Sequence, residues 1–199
     1  MDERSAADLP RVTFRTSRCR LLASLLAWAA LATPAAASAA TPCADANLMP
    51  TKDNVAALRD ATLCLLNAQR STHGLKILTP SPQLRKVAQS YSQAMVRQRF
   101  FDHVSPGGTT LLSRVRRGTT YLSGVRDYSL GENIGWGSGE YATPGETVKG
   151  WMESSAHRAN ILNRRFRHIG IGVAIGAPED TQGMPAATYT TDMGHHTLR

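Results

Sequence analysis

Aromatic residues make up only 6% of this 199-residue chain, charged residues 19%, and cysteines number three. With so few charges against a hydrophobic share of 42%, a self-repelling disordered chain is excluded. No Gly-X-Y run, heptad or longer period recurs, so fibres, coiled coils and solenoids are excluded too. There is no His-Glu-x-x-His helix, no Gly-x-Ser-x-Gly elbow around Ser138, and no phosphate loop, because no helix opening on Lys-Ser/Thr follows Gly135–Gly139. Basic residues are not interleaved with aromatic ones, which argues against nucleic acid as a partner. What remains is one ordinary domain with a formal charge of +8 and an extra segment.

The first forty residues are expected to be an export signal. Arg11, Arg15, Arg18 and Arg20 precede the apolar run Leu21–Ala32, and small residues follow through Ala39 and Ala40. A basic stretch, a short apolar run and a small-residue cleavage site near 39 or 40 are its three parts. The run is too short to span a bilayer comfortably; the competing reading, an uncleaved anchor, is opposed by Pro34 and the Ala/Ser richness. The membrane is then met only during export. Cleavage would leave 159 residues at +6 and discard Cys19. The remaining pair, Cys43 and Cys64, is expected to form a disulfide in an oxidising compartment, periplasmic or extracellular. That bond would tie residues 41–52 to the first helix and stabilise the fold by about 3 kcal/mol.

Apolar spacing predicts a helix from Asp53 to about Ser71 and a second from Ser81, its cap, to near Phe100. Asp102–Gly108 reads as a loop, and a short helix follows Thr109. Tyr128–Trp136 reads as a strand broken by glycines, with Gly135–Gly139 a loop. Thr143-Pro-Gly-Glu146 is a capping box that opens a helix through Met152, and one further turn holds His157. Residues 170–176 and 186–192 read as an antiparallel pair of strands. The order indicates an α+β domain, an α/β/α sandwich with a small central antiparallel sheet, over residues 53–194, with a disordered tail at 195–199.

Of six histidines, His195 and His196 fall in that tail, and His73 and His168 read as surface residues. His103 and His157 lie in segments rich in turn and cap residues, and between them Glu132 interrupts an apolar strand. A glutamate there is costly unless it is paired or faces a cleft. The residues alone leave open a divalent-ion site with one position for water, an acid/base pair, or three unrelated hydrogen-bonded side chains.

The segments LLNAQRSTHGL, FFDHVSPGG, GENIGWG and WMESSAHRANILNRRFRHIGIGVA, in this order, resemble the bacterial branch of the CAP superfamily, the SCP domain. The likeness runs from about Leu58 to Gly194. It implies an α/β/α sandwich whose wide cleft carries two His and two Glu, a set that binds divalent cations in some members. His103, Glu132 and His157 match three of the four. The fourth is displaced: Ser154 stands where the second glutamate is expected, and Glu153 one place earlier is turned by about 100° on a helix. His103, Glu132 and His157 with water would still suffice for zinc, a cofactor not required for the fold. Trp136 is a further candidate for the cleft wall.

The leading expectation is a secreted, monomeric, non-enzymatic binding domain for a lipid, glycan or envelope component. The arginines at 114, 116, 117, 164, 165 and 167 would suit an anionic envelope polymer. The alternative is a metal-dependent hydrolase, a peptidase or cell-wall hydrolase, using the same cleft.

Overall fold

A computed structural model of the protein describes residues 43–199. The expected export signal over residues 1–40 lies outside them. The elements are α1 (Val55–Thr72), β1 (Thr79–Pro80), α2 (Pro82–Gln98), α3 (Leu111–Gly118), β2 (Val125–Ser138), α4 (Pro144–Glu153), α5 (Ser155–Ile161), β3 (His168–Ile175) and β4 (Ala186–Leu198). Among the described residues no helix is long and apolar enough to cross a membrane.

Helix starts follow local chemistry. Ser81 Oγ accepts from the Leu84 amide at 3.3 Å with Pro82 opening α2, and Thr143 Oγ1 accepts from the Glu146 amide at 3.3 Å with Pro144 opening α4. Each side chain satisfies one amide that the first turn leaves without a partner. Cys43 and Cys64 are bonded, with Cα atoms 5.7 Å apart, so the N-terminal segment is tied to α1 as expected.

The sheet order is β1-β3-β4-β2. The three long strands are antiparallel, and the two-residue β1 adds a parallel edge to β3, which the sequence does not signal. Helices α1, α4 and α5 cover one face: Leu58, Leu66, Trp151 and Ile161 pack on Ile169, Ile171, Val173, Tyr189 and Met193. On the other face, α2 and α3 bring Leu84, Val87 and Val115 together, with Tyr91 and Met95 against Ile134 of β2. This is the α/β/α sandwich, and β2 is its free edge.

Close approach of α2 to β3 depends on two glycines. A Cβ at Gly170 would meet the Leu84 backbone, and one at Gly172 the Ala88 carbonyl. Backbone cannot swing aside as a side chain can, so the layers would have to separate. Gly172→Ala is expected to lower stability by roughly 1–3 kcal/mol in urea unfolding. A change within about 0.5 kcal/mol would show that the helix is not held this close.

Three expectations are corrected. Gly135–Ser138 is not a loop but the end of β2, paired with β4 down to Ser138 against Ala186. Its glycines serve close packing: a Cβ on Gly135 would press on the Trp151 indole, and one on Gly137 would strike the Tyr141 carbonyl. Nor is 195–199 a tail, since β4 continues through His195 and His196, paired with Ser129 and Tyr128. The length of β2 supplies those ladder partners. His168 also leaves the surface class: it is half-buried, and its Nδ1 bonds the Tyr121 hydroxyl at 2.9 Å.

Candidate functional site

Glu132 lies near the middle of β2, and it is 7% exposed. Alternation along the strand puts it on the same face as Ile134, toward α2. The loop after α2 returns over that face and places His103 Nδ1 at 2.8 Å from Glu132 Oε1. From α3, Arg114 Nη2 donates to Glu132 Oε2. Both oxygens of the carboxylate are therefore committed, one to an imidazole and one to a guanidinium.

Arg114 is the residue that sequence reasoning missed. It stood among six arginines read as a basic face, and nothing local sets it apart. In the fold its Nη1 also donates to the carbonyls of His103 at 3.1 Å and Thr109 at 3.0 Å, and its guanidinium lies 3.4 Å from the centre of the Tyr91 ring. The stacked, forked arrangement is one that lysine cannot reproduce. Burial pushes the Tyr91 phenol up to about 12, so it stays protonated and donates to the Asp102 carbonyl at 2.6 Å.

Beneath this pair lies a second carboxyl. Asp192 stands directly opposite Glu132 in the β2–β4 ladder, fully buried, and among the described residues neither of its oxygens has a hydrogen-bonding partner. Burial first, and then the charge of Glu132, hold its carboxyl well above the usual carboxylate range. An unfolded chain releases that proton near pH 4, whereas the folded protein keeps it, so stability falls as pH rises above that point. Asp192→Asn is expected to be neutral near pH 4 and increasingly stabilising toward pH 8, read from urea unfolding at both values. A difference between variant and parent that does not change with pH would refute the protonated state.

His157 arrives from the other layer. The Asn133 side chain donates to its backbone carbonyl at 3.1 Å, while Asn160 Nδ2 donates to Asn133 Oδ1 at 2.9 Å and to the Glu132 carbonyl at 3.1 Å. Trp151 Nε1 donates to the Ile134 carbonyl at 2.9 Å. Asn160 and Trp151 thus occupy carbonyls on β2, a strand whose outer edge would otherwise be open. The asparagine of Gly-Glu-Asn and that of His-Arg-Ala-Asn hold α5, and with it His157, against the strand.

The histidines are driven in opposite directions. The hydrogen bond to Glu132 raises His103, against some desolvation, and burial followed by the charge of His103 lowers His157. His157, Ser154, Trp136 and Trp151 line a cleft of about 380 Å³ together with Phe101 and Tyr141. Glu153 is exposed and does not line it.

A divalent ion is poorly served by this arrangement: each Glu132 oxygen already accepts a hydrogen bond, the Arg114 cation sits against the carboxylate, and Glu153 is exposed and outside the cleft. Among the described residues no three His, Cys, Asp or Glu side chains come together as a ligand set.

The comparisons with known proteins agree with the fold. Residues 63–191 match the CAP family, the cysteine-rich secretory protein family. The chain belongs to this family. Its CAP domain is 39% identical over 119 residues to the uncharacterized protein YkwD of Bacillus subtilis (strain 168), a match covering 60% of this chain and 43% of that protein. Against the structure of an extracellular protein containing a SCP domain from Bacillus anthracis, identity is 28% and the TM-score 0.54, covering 72% of this chain and 43% of the other. An outer surface protein from Borrelia burgdorferi shares the fold at 19% identity, with a TM-score of 0.54 and coverage of 75% and 97%. The CAP match thus spans less than half the length of the first two relatives.

Proposed function

We propose that the protein is an exported CAP domain that binds a cell-envelope ligand in the cleft lined by His157, Trp136 and Trp151 without catalysing its turnover. The observation that carries this reading is the commitment of both Glu132 oxygens, to His103 at 2.8 Å and to Arg114. A carboxylate engaged in this way by an imidazole and a guanidinium serves to fix the loop of His103 and helix α3 against β2. Export is supported by the Cys43–Cys64 bond, of a kind that persists outside the reducing cytosol, and by the extracellular relative from Bacillus anthracis.

Cosedimentation of the purified protein with isolated cell-wall sacculi and with lipid vesicles tests the reading. Retention on at least one, weakened by His157→Ala, is expected; retention on neither would sink it. Zinc at about 1 mM is expected to leave Tm unchanged, since a folded-state ligand would raise it.

A hydrolase using the same cleft is the second reading. Its support is the opposed titration of His103 and His157, the pattern by which one group serves as acid and the other as base. Release of soluble fragments from sacculi, abolished by His157→Ala, would establish it.

A further inference from the structure

The cleft does not end at its aromatic wall. Tyr141 and Glu146, which border it, also border a second hollow of about 550 Å³ lined by Asn47, Met49, Glu140, Thr143 and Lys149. The two hollows therefore adjoin at Tyr141 and Glu146, and side by side they are taken as the two halves of one groove, each of a size that small ligands fill.

The walls change character along its length. Near His157 they are aromatic: Phe101 is 44% exposed, Tyr141 is 73% exposed, and Trp136 is half-buried between Gly135 and Gly137. Glycine at 137 is what brings the Tyr141 backbone against β2, since any Cβ there would strike its carbonyl. Beyond Tyr141 the walls carry the Asn47 amide, the Glu140 and Glu146 carboxylates and the Lys149 ammonium, beside the Met49 side chain; the buried Thr143 hydroxyl is already bonded to the Glu140 carbonyl and the Glu146 amide. Exposed aromatic faces on a rigid frame mark a binding groove, because they offer large contact area with little side-chain entropy to lose. An acyl chain would leave the polar half without hydrogen bonds, at a cost. A polyanion finds no spare cation there, since Lys149 is paired with Glu146 at 3.0 Å and Glu140 adds negative charge.

We infer that this groove takes an uncharged oligosaccharide, its sugar rings stacked on Trp136, Phe101 and Tyr141 and its hydroxyl or acetamido groups bonded by the polar half. A sugar ring has an apolar C–H face and a polar rim, the two chemistries that the groove presents side by side. The inference rests on the binding-domain reading and names its ligand class.

Isothermal titration of the protein with fully N-acetylated chitohexaose, which carries no charge, is the test. Binding with Kd on the order of 0.1 mM is expected, weakened at least about tenfold by Tyr141→Ala. Tyr141 is exposed, so that variant keeps the fold; unchanged circular dichroism verifies it. Trp136→Ala should weaken binding in the same way. Absence of heat with chitohexaose, or binding indifferent to Tyr141→Ala, overturns the assignment. If the protein still sediments with vesicles of phosphatidylglycerol, the binding-domain reading survives that outcome with a lipid ligand; if it sediments with nothing, both fall.

Discussion

Arg114→Met is expected to lose about 3–5 kcal/mol of folding stability, a large part of the 5–15 kcal/mol that a domain of this kind possesses. Glu132 is 7% exposed and Asp192 is fully buried. Without the guanidinium, one oxygen of Glu132 loses its partner, and among the described residues the only other side chain bonded to the carboxylate is the half-exposed His103. The methionine stem would still fill space over Tyr91, so the loss reports the uncompensated charge more than a cavity. Urea unfolding at pH 7 measures it. Pairing the change with Glu132→Gln should recover much of the loss, because the cost lies in stranding a charge and not in lacking a pair. A loss under about 1 kcal/mol, or no recovery in the double variant, would mean that solvent reaches the carboxylate and that the pair is incidental.

Arg70 is the second. It lies on the buried face of α1, fully inaccessible, and among the described residues no acid pairs with it. Four backbone carbonyls do instead. Nε donates to Lys76 at 2.8 Å, Nη1 to Ile161 at 2.6 Å and Asn163 at 3.0 Å, and Nη2 to Phe166 at 3.3 Å. Burial, and then the neighbouring Arg167, disfavour its charged form, so the arrangement persists only because four of the five N–H donors of the fork are bonded. Arg70→Met should cost about 3–5 kcal/mol by leaving these buried acceptors unpaired. Arg70→Lys should rescue little, since one ammonium cannot reach carbonyls spread over three directions. Full recovery with lysine would refute the fork argument. The carbonyls of Ile161 and Asn163 end the helix that carries His157 and Asn160, so a milder variant that still folds is expected to expose the cleft to proteolysis first.

Much of the secondary structure was legible because its causes are local. Ser81-Pro82 and Thr143-Pro144 satisfy and shape a first turn within three residues, and apolar spacing at Leu84, Val87, Ala88 and Tyr91 declares a buried face. Where the reading failed, a local rule had been overruled by a distant contact. Glycines at 135 and 137 resemble a loop until the Trp151 indole and the Tyr141 carbonyl are seen pressing on them. The His195-His196 end reads as a tail until the first half of β2 is found paired with it.

The candidate site divides along the same line. A glutamate set into an apolar strand announces that something must answer it, and two histidines in constrained segments are visible as partners; the sequence determined the question, the family and the bonded cysteine pair. Tertiary structure alone chose Arg114 from among six similar arginines, set Asp192 under Glu132 across the ladder, and gave Arg70 carbonyls in place of an acid. The reason is physical. Caps and periodicities act over three or four residues, but the energy of a buried charge is decided by whichever groups the folded layers bring within a few ångströms, and sequence distance carries no record of them.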